Sequence, residues 1–187
     1  MGRRPRSFVP GIYHFSSHGS AERHLFLDDR DRRIFLEQLE LVIERFELGL
    51  VAYTLMGNHY HMVLRIRGAC VSRALQQLHT WYSRRHNRRS RRAAHLFRAH
   101  PFAREIEGDA DLLGTCRYLA WNPVDAGLCS DPLAWRWSSI RPTAGLESAP
   151  LRLELEPLLS ACGANAEWRT RYLQLITERE NAPARAA

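Results

Sequence analysis

Apolar positions change period several times along the chain, and each change marks an element. Gly11-Ile12-Tyr13-His14-Phe15-Ser16-Ser17 alternates and predicts a first strand. Asp28-Asp29-Arg30-Asp31 then opens a helix whose apolar positions include Phe35, Leu36, Leu39, Val42, Ile43 and Phe46, at helical spacing. Gly49 stands where a C-terminal glycine cap is expected. Residues 50–56 and 59–66 predict two more strands, with Gly57-Asn58 as a tight hairpin turn between them. The helical period returns over residues 71–87, where Leu75, Leu78, Trp81 and Tyr82 form an inner side. Residues 102–106 predict a short strand. Asp109 is placed to cap a third helix over residues 110–122, which Pro123 ends because the residue before proline avoids the α region.

The order β-α-β-β-α-β, then a further helix, predicts an α+β fold: a ferredoxin-like antiparallel sheet with helices packed on one face. Trp135-Arg136-Trp137-Ser138-Ser139 is expected to close the core. Residues 140–150 read as a Pro/Gly/Ser linker, 151–180 as a helical appendage and 181–187 as a frayed tail. The expected division is one domain over residues 1–142, then linker, appendage and tail over residues 143–187. There is no internal repeat and no glycine-rich phosphate loop.

Composition narrows the function classes. A chain of 187 residues that is 45% hydrophobic suits a globular domain with a real core. No apolar window is long enough for a bilayer span. The basic start Met1-Gly2-Arg3-Arg4-Pro5-Arg6 is not followed by a signal-peptide core, so a cytosolic location is expected. Cys70, Cys116, Cys129 and Cys162 are scattered without a Cys-x-x-Cys pair, which speaks against a zinc ribbon or a disulfide scaffold. The net charge is +7, and all 27 basic residues are arginine. Arg84, Arg85, Arg88, Arg89, Arg91 and Arg92 fall within nine residues. Arginine grips phosphate through a planar fork and stacks on bases, so this run is a candidate DNA contact. A solvated basic helix end is the plainer alternative.

The chemistry concentrates at two places. His59 and His61 are two apart on a predicted strand and share one face, a rigid way to present two imidazoles to a metal. An ordinary polar-face pair is the other reading. Tyr118 and Asn122, four apart, share a helix face opposite Leu112, Leu113, Cys116, Leu119 and Ala120. Tyrosine can act as a covalent nucleophile, but with a pKa near 10 it needs help to ionise. Gly114, one turn earlier, either admits a backbone near Tyr118 or packs on the sheet. Tyr82, beside the arginine run, is a rival nucleophile for which a packing role fits better, and His86 is a further possible ligand. His14, His18, His24, His79, His95 and His100 read as strand, surface or phosphate-contact residues.

Taken together, these motifs resemble a known group. His59-Tyr60-His61 is similar to the His-hydrophobe-His motif of single-tyrosine HUH transposases. The stretch Tyr118-Leu119-Ala120-Trp121-Asn122-Pro123-Val124-Asp125-Ala126-Gly127-Leu128 resembles their nucleophile helix and the turn after it. Gly11-Ile12-Tyr13-His14, the stretch from Leu25-Phe26 to Phe35-Leu36, and Trp137-Ser138-Ser139 extend the resemblance to the REP-associated tyrosine transposases, over about residues 8–142. The resemblance implies a ferredoxin-like fold and a divalent metal, magnesium or manganese. It implies cleavage and transfer of single-stranded or hairpin DNA through a 5′-phosphotyrosine, by a monomer or homodimer. Carried over by position, His59 and His61 are metal ligands, Asn122 is the third ligand and Tyr118 is the nucleophile. Two imidazoles on their own suit manganese or zinc better than magnesium. The chain departs from the pattern at His18-Gly19, where members often have Arg-Gly, and at His100-Pro101-Phe102, where many have Gly-Arg followed by an aromatic. Both departures remove a basic contact and bear on substrate choice. A non-catalytic nucleic-acid-binding protein domesticated onto the same fold is the alternative reading.

Overall fold

In the computed structural model the described residues are 8–68, 71–91, 95–98 and 100–178. Four antiparallel strands, β1 (Gly11–His18), β2 (Gly49–Leu55), β3 (His59–Ile66) and β4 (Phe102–Ile106), form one sheet in the order β2-β3-β1-β4. Helix α1 (Asp29–Arg45) joins β1 to β2, and α2 (Val71–Ser90) joins β3 to β4. This is the ferredoxin-like arrangement that the order of elements predicts. Helices α3 (Gly108–Asp125), α4 (Ile140–Thr143), α5 (Glu156–Ala161) and α6 (Trp168–Thr177) follow. Among the described residues no helix is long and apolar enough to cross a membrane.

Helices cover both faces of the sheet rather than one. On one side α1 and α2 bury Phe35, Leu39, Leu78 and Tyr82 against Phe15, Tyr60, Met62 and Leu64. On the other, α3, α5 and α6 bury Leu119, Leu158 and Tyr172 against Val51, Ala52, Val63 and Ile106. The sequence carries the signal: every residue of β2 is buried, a run that does not alternate because water touches neither side. Helices α5 and α6 therefore lie on the sheet's second layer, with Trp168 and Ile176 in its core. Residues 140–150, expected as a linker, include the short helix α4 with Ile140, Pro142 and Thr143 buried.

Helix ends explain three differences from the sequence reading. Asp28 caps α1 by accepting from the Asp31 N–H, and Asp31 returns the contact by accepting from the Leu27 N–H. At the other end the left-handed residue is Glu47, at φ 52°, and the Leu48 N–H closes on the Ile43 carbonyl in a Schellman-type bond. Gly49 is not the cap but the first residue of β2, where a Cβ would stand 1.9 Å from Glu154 Oε2. The missing side chain makes room for a carboxylate that pairs with Arg65 and Arg67. Asp109 does not cap α3 but lies inside its first turn; Asp111 instead accepts from the Glu107 N–H. Helix α3 also runs through Pro123 to Asp125, because only one more turn remains and the Ala126 N–H still reaches the Asn122 carbonyl.

Both α3 and the segment after it are tied down by side chains. Arg104 of β4 holds Asp111 at 2.6 Å and Thr115 Oγ1 at 2.9 Å. Arg117 and Trp121 donate to the Leu175 and Ile176 carbonyls of α6 at 2.6 and 3.0 Å. Trp137-Ser138-Ser139 lies along the outer edge of β2, exchanging bonds with Leu55 and Tyr53, and its indole packs into the first core as expected. Cys116, Cys129 and Cys162 are free thiols; Cys70 lies outside the described residues.

Tyr172 is buried to 1% exposure in the second core. Tyr172→Ala is expected to cost about 3–5 kcal/mol of unfolding free energy, the range for large aromatic truncations. A urea titration followed by tryptophan fluorescence measures it, and an unchanged midpoint would show that α6 does not share the fold's cooperative unit.

Candidate active site

Strand alternation sorts the site. Along β3, Tyr60, Met62, Leu64 and Ile66 enter the α1/α2 core, so His59, His61 and Val63 face α3. Along β1, Tyr13 and Phe15 enter the same core, which turns His14, Ser16 and His18 to the α3 side. The register sets Ser16 opposite His61 and His18 opposite His59. The His18 and His59 rings stack with centroids 4.5 Å apart, and the His59 and His61 rings stand perpendicular at 5.0 Å.

Each proposed ligand has one ring nitrogen engaged. His61 Nδ1 is 3.0 Å from His14 Nε2, and His59 Nδ1 is 2.8 Å from Asn58 Oδ1. His61 Nε2 is buried and has no hydrogen-bond partner among the described residues. His59 Nε2 lies 3.2 Å from Asn122 Oδ1. With the His59 proton assigned to Nδ1, where Asn58 accepts it, the Nε2 and Asn122 Oδ1 lone pairs face each other. A cation at either nitrogen would satisfy a lone pair that otherwise lacks a donor. Burial pushes the His59 pKa down to about 4, the charge of His18 adding to it, while Asn122 works the other way because its oxygen can accept from the protonated ring. Burial, with the charges of His14 and His59, drives His61 well below the ordinary range. Both imidazoles are thus neutral at pH 7, as metal ligands must be. Among the described residues no three His, Cys, Asp or Glu side chains are placed to hold one metal ion, so the candidate donors are two imidazoles and an amide oxygen. That set fits a divalent ion that keeps its remaining positions for water and phosphate oxygens.

Helix α3 brings Tyr118 to the same place. Leu112, Cys116, Leu119 and Ala120 face the core, leaving Tyr118 on the rim, 41% exposed. Its ring stands edge-on to His61 at 5.3 Å and to His14 at 6.1 Å. Burial raises the pKa of its phenol, a hydrogen bond with Asn122 lowers it and Asp125 raises it, with a net upward shift. The hydroxyl is therefore protonated at neutral pH and needs help to attack. Gly114 does not pack on the sheet: it is exposed, and a Cβ there would meet nothing within 4 Å.

His14, His18 and Asn58 belong to the site although the sequence motif did not single them out. The available signal was the alternation of His14, Ser16 and His18 on β1, which in antiparallel register with β3 must line the same face as the paired histidines. Burial, then the nearby Arg104, hold His14 down at about 4. Tyr82, the rival nucleophile, is 1% exposed in the other core and donates to the Leu25 carbonyl at 2.6 Å. His86 packs near it on α2, on the sheet face opposite the paired histidines.

The arginine run divides. Arg84, Arg85 and Arg88 project into solvent from α2, on the sheet face opposite Tyr118. Arg91, at φ 52°, is exposed just after the helix, and Arg92 lies outside the described residues. Arg89 is not a free cation: it bonds both carboxylate oxygens of Asp28 and, at 2.5 Å, the buried Asp31. It clasps the end of α2 to the start of α1. From α2 the chain returns toward the histidines, with the Ser20 N–H on the Leu96 carbonyl and the Arg98 N–H on that of His18.

This division has a measurable consequence. Arg89→Ala is expected to lower the melting temperature in differential scanning fluorimetry, whereas Arg84→Ala and Arg88→Ala leave it unchanged. The Arg89 guanidinium holds the Asp28 carboxyl well below the usual aspartate range. A depressed folded-state pKa adds stability above the unfolded value, near 3.9, and loses it as pH falls through the folded value. The Arg89→Ala deficit should therefore shrink in acid. An equal deficit at pH 7 and in strong acid would remove the clasp.

No curated protein matches the chain by sequence. A solved structure of a REP-associated tyrosine transposase bound to a REP hairpin superposes with a TM-score of 0.66 at 14% identity, over 83% of this chain and 93% of that one. That likeness is one of fold. The sequence model of IS200-like transposases matches residues 11–120, a span that begins with β1 and takes in both the paired histidines and Tyr118. By that match the chain belongs to the IS200-like transposase family.

Proposed function

We propose that this protein is a metal-dependent single-strand DNA endonuclease and strand transferase that works through a covalent 5′-phosphotyrosine on Tyr118. The observation that carries the reading is convergence. The Tyr118 ring, the orphaned His61 Nε2, His59 Nε2 and Asn122 Oδ1 come together from one strand, β3, and one helix, α3. A divalent ion, magnesium or manganese, held by His59, His61 and Asn122 would supply Lewis-acid polarisation of the scissile phosphate.

The chain's own residues do the rest. His14 and Asn58 fix the ring orientation of His61 and His59 through their Nδ1 atoms, as outer partners of ligating histidines do. Asn122, one turn further along the same helix, favours the ionised form of the Tyr118 phenol. The Tyr118 oxygen attacks phosphorus, the bond from phosphorus to the 3′ oxygen breaks, and the DNA leaves with a free 3′-hydroxyl. The proton lost by the phenol balances the one gained by the 3′ oxygen. One phosphoester replaces another, so a 3′-hydroxyl can later reverse the step and rejoin a strand.

The substrate we propose is a hairpin with a single-stranded flank. Its support is the fold shared with a transposase bound to a REP hairpin. Arg84, Arg85 and Arg88 would track the phosphates, with affinity resting on charge rather than on the metal site.

In this reading Tyr118→Phe removes one oxygen, keeps DNA binding and abolishes the adduct seen by denaturing gel. His59→Ala or His61→Ala abolishes cleavage with binding kept. Tyr82→Phe still forms the adduct if it folds. Peptide mapping of DNA to any residue but Tyr118 overturns the assignment. Replacing Arg84, Arg85 and Arg88 together with alanine should flatten the log–log salt dependence of binding by about 2, at roughly 0.7 per single-strand phosphate contact. An unchanged slope would mark the run as solvated surface.

A further inference from the structure

We propose that Phe102 is a stacking platform for a nucleobase next to the scissile phosphate, an inference that rests on the single-strand cleavage reading above. Strand β4 is an edge of the sheet with no strand beyond it among the described residues; the opposite edge, β2, is covered by Trp137-Ser138-Ser139. Alternation along β4 sends Ile106 into the core beside α3 and Arg104 onto α3, so Phe102 faces the same side. It sits at the lip of the site, opposite Ser16 in register.

Phe102 is 53% exposed, against 41% for Tyr118. Its inner side meets the His14 ring edge-on at 5.9 Å, and His14 in turn meets Tyr118 at 6.1 Å. The rings of Phe102, His14 and Tyr118 thus form a row that begins at the nucleophile and ends in solvent. Pro101, just before Phe102, restrains the entry of the strand. The exposed Arg98 lies on the segment bonded to His18, at the approach to the same face.

An exposed flat ring, with an exposed arginine four residues before it in the chain and a group that attacks phosphate one ring away, matches the two chemistries that alternate along single-stranded DNA. Phosphate goes to arginine and base to the aromatic face. Every base has such a face, so Phe102 would fix position along the strand and not read sequence.

The test uses a hairpin oligonucleotide with a single-stranded flank that the wild-type protein cleaves at a mapped bond. Binding is measured to the uncleaving Tyr118→Phe protein, with an abasic site placed in turn at each position around that bond. One position, or two adjacent ones, should weaken binding about tenfold, the scale of one lost base–aromatic stack. In Phe102→Ala/Tyr118→Phe the same abasic site should cost less than twofold, and Phe102→Trp/Tyr118→Phe should restore the full effect. Quenching of 2-aminopurine at that position should follow the same order. Matching abasic profiles with and without the Phe102 ring overturn the platform while leaving Tyr118 chemistry standing. Failure of the wild-type protein to cleave or form an adduct overturns the functional reading, and the platform with it.

Discussion

The register of β3 is the constraint on which the site depends. Its even residues carry Tyr60, Met62, Leu64 and Ile66 into a core with Phe15, Phe35 and Tyr82. A slip of one residue would drive His59 and His61 into that core and turn Tyr60 and Met62 toward Tyr118. Such a slip would also break the bond from the fully buried Tyr60 hydroxyl to His79. The hydrophobic effect, acting on residues with no chemical role, thereby fixes which way the two imidazoles point.

A second layer then decides how dry the imidazoles are. Helix α3 closes over them with the help of α5 and α6, and that burial keeps both histidines neutral. The exposure of Tyr118 follows from the same packing. Leu119 and Ala120 must face the sheet, so the residue before them stands at the rim.

Much of this was legible in the sequence because it rests on periodicity. The spacing of His59 and His61, the four-residue spacing of Tyr118 and Asn122, the hairpin at Gly57-Asn58 and the bounds of β4 are all local patterns. What escaped depends on contacts between distant residues. Gly49 looks like a cap until Glu154, far along the chain, is seen to occupy its missing side chain's place. Arg89 looks like its neighbours until the first turn of α1 claims it. Pro123 looks like a stop, yet one turn of helix survives because its carbonyls find donors beyond it. His14 and His18 join the site only through cross-strand register, which no single stretch of sequence displays.

The tethers on α3 have a mechanical meaning. Arg104 pulls its first turns onto β4, while Arg117 and Trp121 bind its later turns to the backbone of α6. The helix is anchored along its length on the strand before it and on the last helix of the second layer, so it is a strut and not a lever. Tyr118 and the paired histidines also come from one chain. The His61 and Tyr118 rings therefore meet at 5.3 Å across a helix that is tied down at both of its ends.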